Sequence, residues 1–155
     1  MWIRFVAVPA PPPNLPVLVL DGSLVDDYAS FVEEANRAIF PGYVESVGRP
    51  WAGNLDAFND ILGGGMGTPD GGFVLRVLDA AKLRAALGYP ATISRLEGVL
   101  ERCHPTNRGS VAARIERARR HEGETLFDEL VQIIRTHGPG GVESEDCVFL
   151  ELRDG

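Results

Sequence analysis

Short apolar runs alternate with amphipathic segments along the chain. Three of the runs have the length and composition of β-strands: residues 16–20, Phe73–Leu78 and residues 148–150. The first run is continuous, which is typical of a strand that a parallel sheet buries on both faces. Apolar residues recur at helical spacing at 23–39, 54–62, 79–87, 93–102, 111–121 and 126–135. Strands separated by helices predict an α/β fold, with a small three-stranded parallel sheet packed by helices.

Turn residues and chain length predict where the first helix ends and how many domains the chain forms. Pro41 and Gly42 are expected to end the first helix, and a loop is predicted from there to Pro50. The chain has 155 residues, 45% of them hydrophobic and 24% charged, which is ordinary for one globular domain. Five prolines fall within residues 9–16, a composition that favours extended polyproline II. We therefore expect residues 1–15 to form a stiff N-terminal arm before a domain at 16–155.

The charge is concentrated in the first half of the chain. The net charge is −7, and residues 1–75 contain 9 acidic and 3 basic side chains, against 13 and 12 in residues 76–155. Binding to nucleic acid depends on basic groups that displace counterions from phosphates, so the acidic half is unsuited to it. The charge favours a cationic partner and excludes nucleic acid.

The cysteine content and hydropathy point to a cytoplasmic protein. Cys103 and Cys147 are too few for the disulfide framework of a small secreted domain. The first apolar run is too short for a signal peptide, and no stretch approaches the ~20 apolar residues of a membrane helix. We expect no contact with a membrane.

One predicted helix carries a pair of acids on its outer face. Leu55, Phe58 and Leu62 are spaced to face the core, which turns Asp56 and Asp60 outward, one turn apart. Like charges at this spacing repel by a few tenths of a kcal/mol. The pair is either an ordinary solvated helix face or a carboxylate pair directed at a cationic cleft, where binding would relieve the repulsion.

The segment around this helix resembles a known family. Residues 51–60, Trp-Ala-Gly-Asn-Leu-Asp-Ala-Phe-Asn-Asp, are similar to the signature of the barstar family, intracellular inhibitors of secreted bacterial ribonucleases. The order of predicted strands and helices over about 16–88 and 125–152 is also similar. The resemblance implies a monomer that inserts its acidic helix and the preceding loop into the active site of a secreted guanyl-specific ribonuclease, as a 1:1 complex.

The resemblance also implies which residues bind the ribonuclease. In such a complex, carboxylates replace the phosphates that the enzyme otherwise holds with cationic side chains. Asp60 is expected to be the main anchor and Asp56 its neighbour, with Asn54 capping the helix and Trp51 supplying aromatic contact. The full set of expected partner-binding residues is Trp51, Gly53, Asn54, Asp56, Asn59 and Asp60.

The chain departs from the family pattern at three places. Asn59 stands where the family has an aromatic residue before the second acid, so this part of the helix packs or binds differently. A third binding acid of the family falls near Thr136, with Gln132 and Glu129 close by, and cannot be placed. Residues 89–124 have no counterpart in the minimal family fold and are predicted to be a helical insertion.

Metal binding and catalysis have weaker support in the sequence. The three histidines and two cysteines lack the paired short spacings of a zinc site, so no metal or cofactor is expected, and no catalytic motif stands out. The histidines are expected in loops or at helix ends. Two alternatives to a ribonuclease inhibitor stay open: an acidic interaction module or immunity protein for a different basic toxin, and a small hydrolase using Asp56 and Asp60 as an acid–base pair.

Overall fold

The computed structural model describes residues 10–154. Residues 1–9, which make up most of the predicted N-terminal arm, and Gly155 lie outside the described residues. Over 10–154 the chain forms three strands and seven α-helices. The strands are β1 (Val17–Asp21), β2 (Phe73–Leu78) and β3 (Val148–Leu152). The helices are α1 (Tyr28–Ala38), α2 (Pro41–Val47), α3 (Leu55–Leu62), α4 (Ala80–Ala86), α5 (Tyr89–Arg102), α6 (Arg108–Arg119) and α7 (Leu126–Thr136).

The sheet has the predicted parallel topology. Its order is β1-β2-β3, and β2 pairs in parallel with both neighbours, placing Leu75 beside Leu18 on one side and Leu150 on the other. The predicted α/β fold with a small three-stranded parallel sheet is therefore confirmed. The main core lies between one face of this sheet and the helices, and both Leu20 and Phe73 are buried there.

The prediction that the first strand is buried on both faces is wrong. Val17 and Val19 are 44% and 38% exposed, so β1 is not buried on both faces. It is an edge strand, and the main core takes in only its alternate residues, Leu18 and Leu20. On the other face, residues 10–13 of the arm border a groove of about 750 Å³ together with β1, β2 and β3.

A helix stands where a loop was predicted. α2 begins at Pro41, which occupies the first helical position, where its missing N–H and preset φ are favourable. Proline followed by glycine therefore starts a new helix here instead of opening a loop. α2 ends at Gly48, whose φ of +82° lies in the left-handed region.

The start of α2 is in close backbone contact with the turn after α3. A Cβ added at Gly42 would lie 2.0 Å from the carbonyl oxygen of Gly67, and one added at Gly67 would lie 2.2 Å from the carbonyl carbon of Gly42. The two segments can approach this closely only because neither residue has a side chain. The contact holds the segment after α3 against α2.

Replacing Gly42 with Ala should destabilise the fold by about 1–3 kcal/mol, because the new methyl group must push two backbones apart. Urea unfolding measures this as a lower midpoint at unchanged slope. Gly109→Ala is the matched control: in the described structure no atom lies within 4 Å of its added Cβ, and alanine favours helix by up to about 1 kcal/mol. Equal stability of the two variants would contradict the contact.

Candidate functional site

α3 separates apolar from acidic side chains as predicted. The side-chain oxygen of Asn54 accepts a hydrogen bond from the Ala57 N–H at 2.9 Å, which is the predicted N-cap. The buried residues of the helix are Leu55, Phe58, Ile61 and Leu62. Asp56 and Asp60 are exposed on the opposite side. Asp56 lies in the first turn, where the positive end of the helix dipole favours a carboxylate.

The loop before α3 is anchored by Trp51, which corrects one expected role. The Trp51 side chain is only 2% exposed, and its ring centroid lies 5.2 Å from that of Phe58 and 5.5 Å from that of Phe40. Its indole N–H donates to the carbonyl oxygen of Asn54 at 2.8 Å. The expectation that Trp51 offers an aromatic surface to a partner is wrong, because its ring belongs to the core.

Two side chains of α1 hold the same loop. The amide of Asn36 accepts from the Trp51 backbone N–H and donates to the Trp51 carbonyl oxygen, both at 2.9 Å. The Tyr28 hydroxyl donates to the carbonyl oxygen of Gly53 at 2.5 Å. Gly53 has a φ of +105°, and a Cβ there would lie 3.3 Å from Val32, so the loop requires glycine at this position. The loop and the helix start are thus held in place in the free protein.

Neither Asn36 nor Tyr28 was identified from the sequence. Tyr28 falls on the apolar face of the helical pattern at 23–39, and Asn36 is a polar residue beside that face. Trp51 lies 15 residues after Asn36, and Gly53 lies 25 residues after Tyr28. Only the folded chain brings them to the loop.

The Asn59 side chain makes a hydrogen bond to a residue at the end of α7. Its side-chain oxygen lies 2.7 Å from Nε2 of His137, which therefore donates to it. His137 is completely buried at the C-terminal end of α7, and its Nδ1 lies 2.6 Å from a carboxylate oxygen of Asp146. The amide oxygen of Asn59 is occupied by this contact, while the side chain remains partly exposed, so its expected role in binding a partner stays a prediction. The residue ties α3 to α7.

His137 also lies in the described chain's one group suited to holding a metal ion. Ligand atoms of His137, Glu143 and Asp146 all lie within 4.8 Å of one another. His137 was expected at a helix end, where it is found, but its burial and its two acidic neighbours were not predicted. The acids follow it at intervals of 6 and 9 residues, which are not the short paired spacings of a zinc motif.

Among the three α7 residues considered for a third acidic contact, Glu129 faces the α5–α6 segment. Glu129 lies 3.9 Å from the Arg95 guanidinium of α5 and 3.7 Å from that of Arg114 of α6. Thr136 donates its hydroxyl hydrogen to the carbonyl oxygen of Gln132 at 3.0 Å. The nearest carboxylate of α7 is therefore paired with arginines inside this protein.

α5 and α6 pack against each other, and α5 faces the loop that precedes the acidic helix. α5 is attached to α7 by the Leu126 N–H, which donates to the Thr92 hydroxyl at 2.8 Å. A cleft of about 730 Å³ separates α5 from the 52–54 loop and the start of α1. Asp26 and Asp27 lie on one side of the cleft, and Arg95 and Arg102 line its α5 side. α5, the first helix of residues 89–124, thus borders the loop of the candidate site.

The comparisons with known proteins find no match among family models, curated proteins or solved structures. Among the helices of residues 10–154, none has both the length and the apolar character needed to span a bilayer. The function must therefore be inferred from the geometry around α3.

The Tyr28–Gly53 hydrogen bond should make stability depend on pH at the alkaline end. Burial raises the pKa of Tyr28 to about 12, with the Arg95 charge opposing and the Glu129 charge reinforcing the shift. The protonated hydroxyl therefore contributes stability that is complete below pH 10 and is lost as the pH rises through 12. Tyr28→Phe should cost about 0.5–1.5 kcal/mol at pH 7, and the deficit should shrink above pH 10 and be gone by about pH 12.

Urea unfolding of both proteins from pH 7 to pH 12.5 measures this difference as a shift of the unfolding midpoint, where two-state behaviour holds. Tyr43→Phe is the control, since the Tyr43 hydroxyl has no hydrogen-bond partner among the described residues. A Tyr28→Phe deficit that is constant across this range would contradict the hydroxyl's role in holding the loop.

Proposed function

We propose that this protein inhibits a cationic, secreted, guanyl-specific ribonuclease in the cytoplasm of the cell that makes the enzyme. One observation carries the proposal: α3 presents two exposed carboxylates, Asp56 and Asp60, while its inner face and preceding loop are fixed by the core. The resemblance of residues 51–60 to the barstar signature supports the same target class.

The chemistry of such an inhibitor is substitution for phosphate. A ribonuclease holds the phosphates of RNA with arginine, lysine and histidine side chains, and these groups also bind carboxylates through charge-assisted hydrogen bonds. Asp56 and Asp60 are about 6 Å apart along the helix axis, so they can engage two cationic groups of one active site. Their mutual repulsion in the free protein is replaced by attraction in the complex.

The fixed loop lowers the cost of binding. Asn36, Tyr28 and the Trp51 indole hold the backbone from Trp51 to Asn54 through four hydrogen bonds. A surface that is already ordered loses little conformational entropy when it binds. The proposed mechanism is therefore steric: a rigid acidic helix and loop occupy the active site, and inhibition is stoichiometric.

Replacing Asp60 with Ala should abolish tight inhibition while preserving the fold. Loss of one partner of a desolvated charge pair costs about 2–5 kcal/mol, or roughly 30- to 5,000-fold in affinity. Asp70→Ala is the matched control, because it removes the same charge from an exposed position in the glycine-rich turn after α3. The measurement is RNA cleavage by a panel of secreted guanyl-specific ribonucleases, titrated with each protein.

Full inhibition by both variants would show that the acidic face of α3 is not the binding surface. Cleavage by every ribonuclease of the panel at full rate, with the wild-type protein in excess, would overturn the function itself. Circular dichroism of each variant verifies that it is folded.

The cleft beside α3 permits a second test of where the ribonuclease sits. Arg102 lines the α5 side of that cleft and would repel a cationic enzyme docked on α3 and the 52–54 loop. Arg102→Glu should therefore accelerate association by about two- to tenfold at low salt. The gain should shrink as ionic strength rises to about 1 M, where the screening length falls to about 3 Å.

Arg117→Glu is the control for total charge. Arg117 is exposed on α6 and lines a different groove, formed with Thr92 and Leu96 on another face of α5. Stopped-flow or surface-plasmon measurements of the association rate compare the two variants. Equal acceleration in both would mean that only net charge matters and would remove the cleft from the binding surface.

A further inference from the structure

We propose that His137, Glu143 and Asp146 form a binding site for a divalent transition-metal ion of the zinc type. The site lies between the end of α7 and the start of β3, and is independent of the proposed inhibition. Its donors are one imidazole nitrogen and two carboxylates, whose ligand atoms lie within 4.8 Å of one another. Imidazole together with carboxylate oxygens is a donor set that suits Zn²⁺.

The orientation of the His137 ring points to a cation at Nδ1. Nε2 faces the Asn59 side-chain oxygen at 2.7 Å and so carries a hydrogen. In the neutral ring Nδ1 then has only a lone pair, yet it faces Asp146 at 2.6 Å and Glu143 at 3.3 Å. A lone pair and two carboxylates repel one another unless a cation lies among them. A proton on Nδ1 can be shared with only one of the two carboxylates. A metal ion can bind the imidazole nitrogen and both carboxylates.

The surroundings match those of a metal-binding histidine. Such histidines donate their second ring N–H to an oxygen that fixes the ring and its tautomer, and Asn59 supplies that oxygen here. The histidine is completely buried, while the side chains of Asp146 and Glu143 are 18% and 47% exposed. An ion can therefore enter from solvent and keep a water molecule as its fourth ligand.

The backbone holds the three donors near one another. The Glu143 N–H donates to the Thr136 carbonyl oxygen at 2.9 Å, and the Asp146 N–H donates to that of Glu143 at 3.1 Å. Zinc bonds of about 2.0–2.2 Å place tetrahedral ligand atoms about 3.3–3.6 Å apart. The Nδ1–Glu143 distance of 3.3 Å already fits this spacing, and Asp146 must withdraw from 2.6 Å by about 0.7 Å.

Calorimetric titration of the full chain, stripped of metal with EDTA, tests the site with ZnCl₂ as the probe and MgCl₂ as the comparison. We expect one Zn²⁺ per chain at pH 7.5 and a melting temperature that rises with Zn²⁺ but not with Mg²⁺. Glu143→Gln and Asp146→Asn should each weaken Zn²⁺ binding at least about tenfold. Glu145→Gln removes the same charge from an exposed neighbour on the same turn and should bind like wild type.

The two carboxylate variants keep the test decisive even if replacement of the buried His137 prevents folding. Failure to bind Zn²⁺ with a Kd below about 1 mM would overturn the site and leave a proton at Nδ1. Undiminished binding in both Glu143→Gln and Asp146→Asn would also overturn it, because the ion would then be held elsewhere. Since no ribonuclease is present, neither result depends on whether the protein inhibits one.

Discussion

The buried indole of Trp51 is the contact on which the geometry of the acidic helix depends. It packs against Phe40 before α2 and Phe58 in α3, and its N–H caps the carbonyl of Asn54 at the start of α3. Asn36 then fixes the Trp51 backbone from α1. Because an aromatic core residue and the helix start are adjacent in the chain, packing of the core also sets the direction of α3.

α3 is held at a second point by a polar contact. Asn59, on its inner side, accepts a hydrogen bond from His137 at the end of α7. A buried polar contact of this kind is costly to leave unsatisfied, and it therefore favours one position of the helix. With both contacts made inward, the repelling pair Asp56 and Asp60 is left exposed. The repulsion costs little beside the burial of Phe58 and Leu62.

The α5–α6 pair changes the electrostatic surroundings of that acidic face. Its arginines Arg95 and Arg114 lie beside Glu129, so this carboxylate of α7 is paired within the chain. α5 also borders the cleft next to the 52–54 loop. A partner that docks on α3 would thus meet a surface with both acidic and basic side chains, and its own charge pattern must fit both.

Local sequence patterns predicted the three strands, every α-helix of the described residues except α2, the Asn54 cap and the outward direction of Asp56 and Asp60, because periodicity and capping act within a few residues. Local patterns did not predict that Trp51 is a core residue, that Asn59 faces His137, that β1 has an exposed face, or that α5 faces the 52–54 loop. Each of these depends on contacts between segments distant in the chain. A residue's local pattern shows which side of its own element is apolar, but burial is decided by which other element packs there.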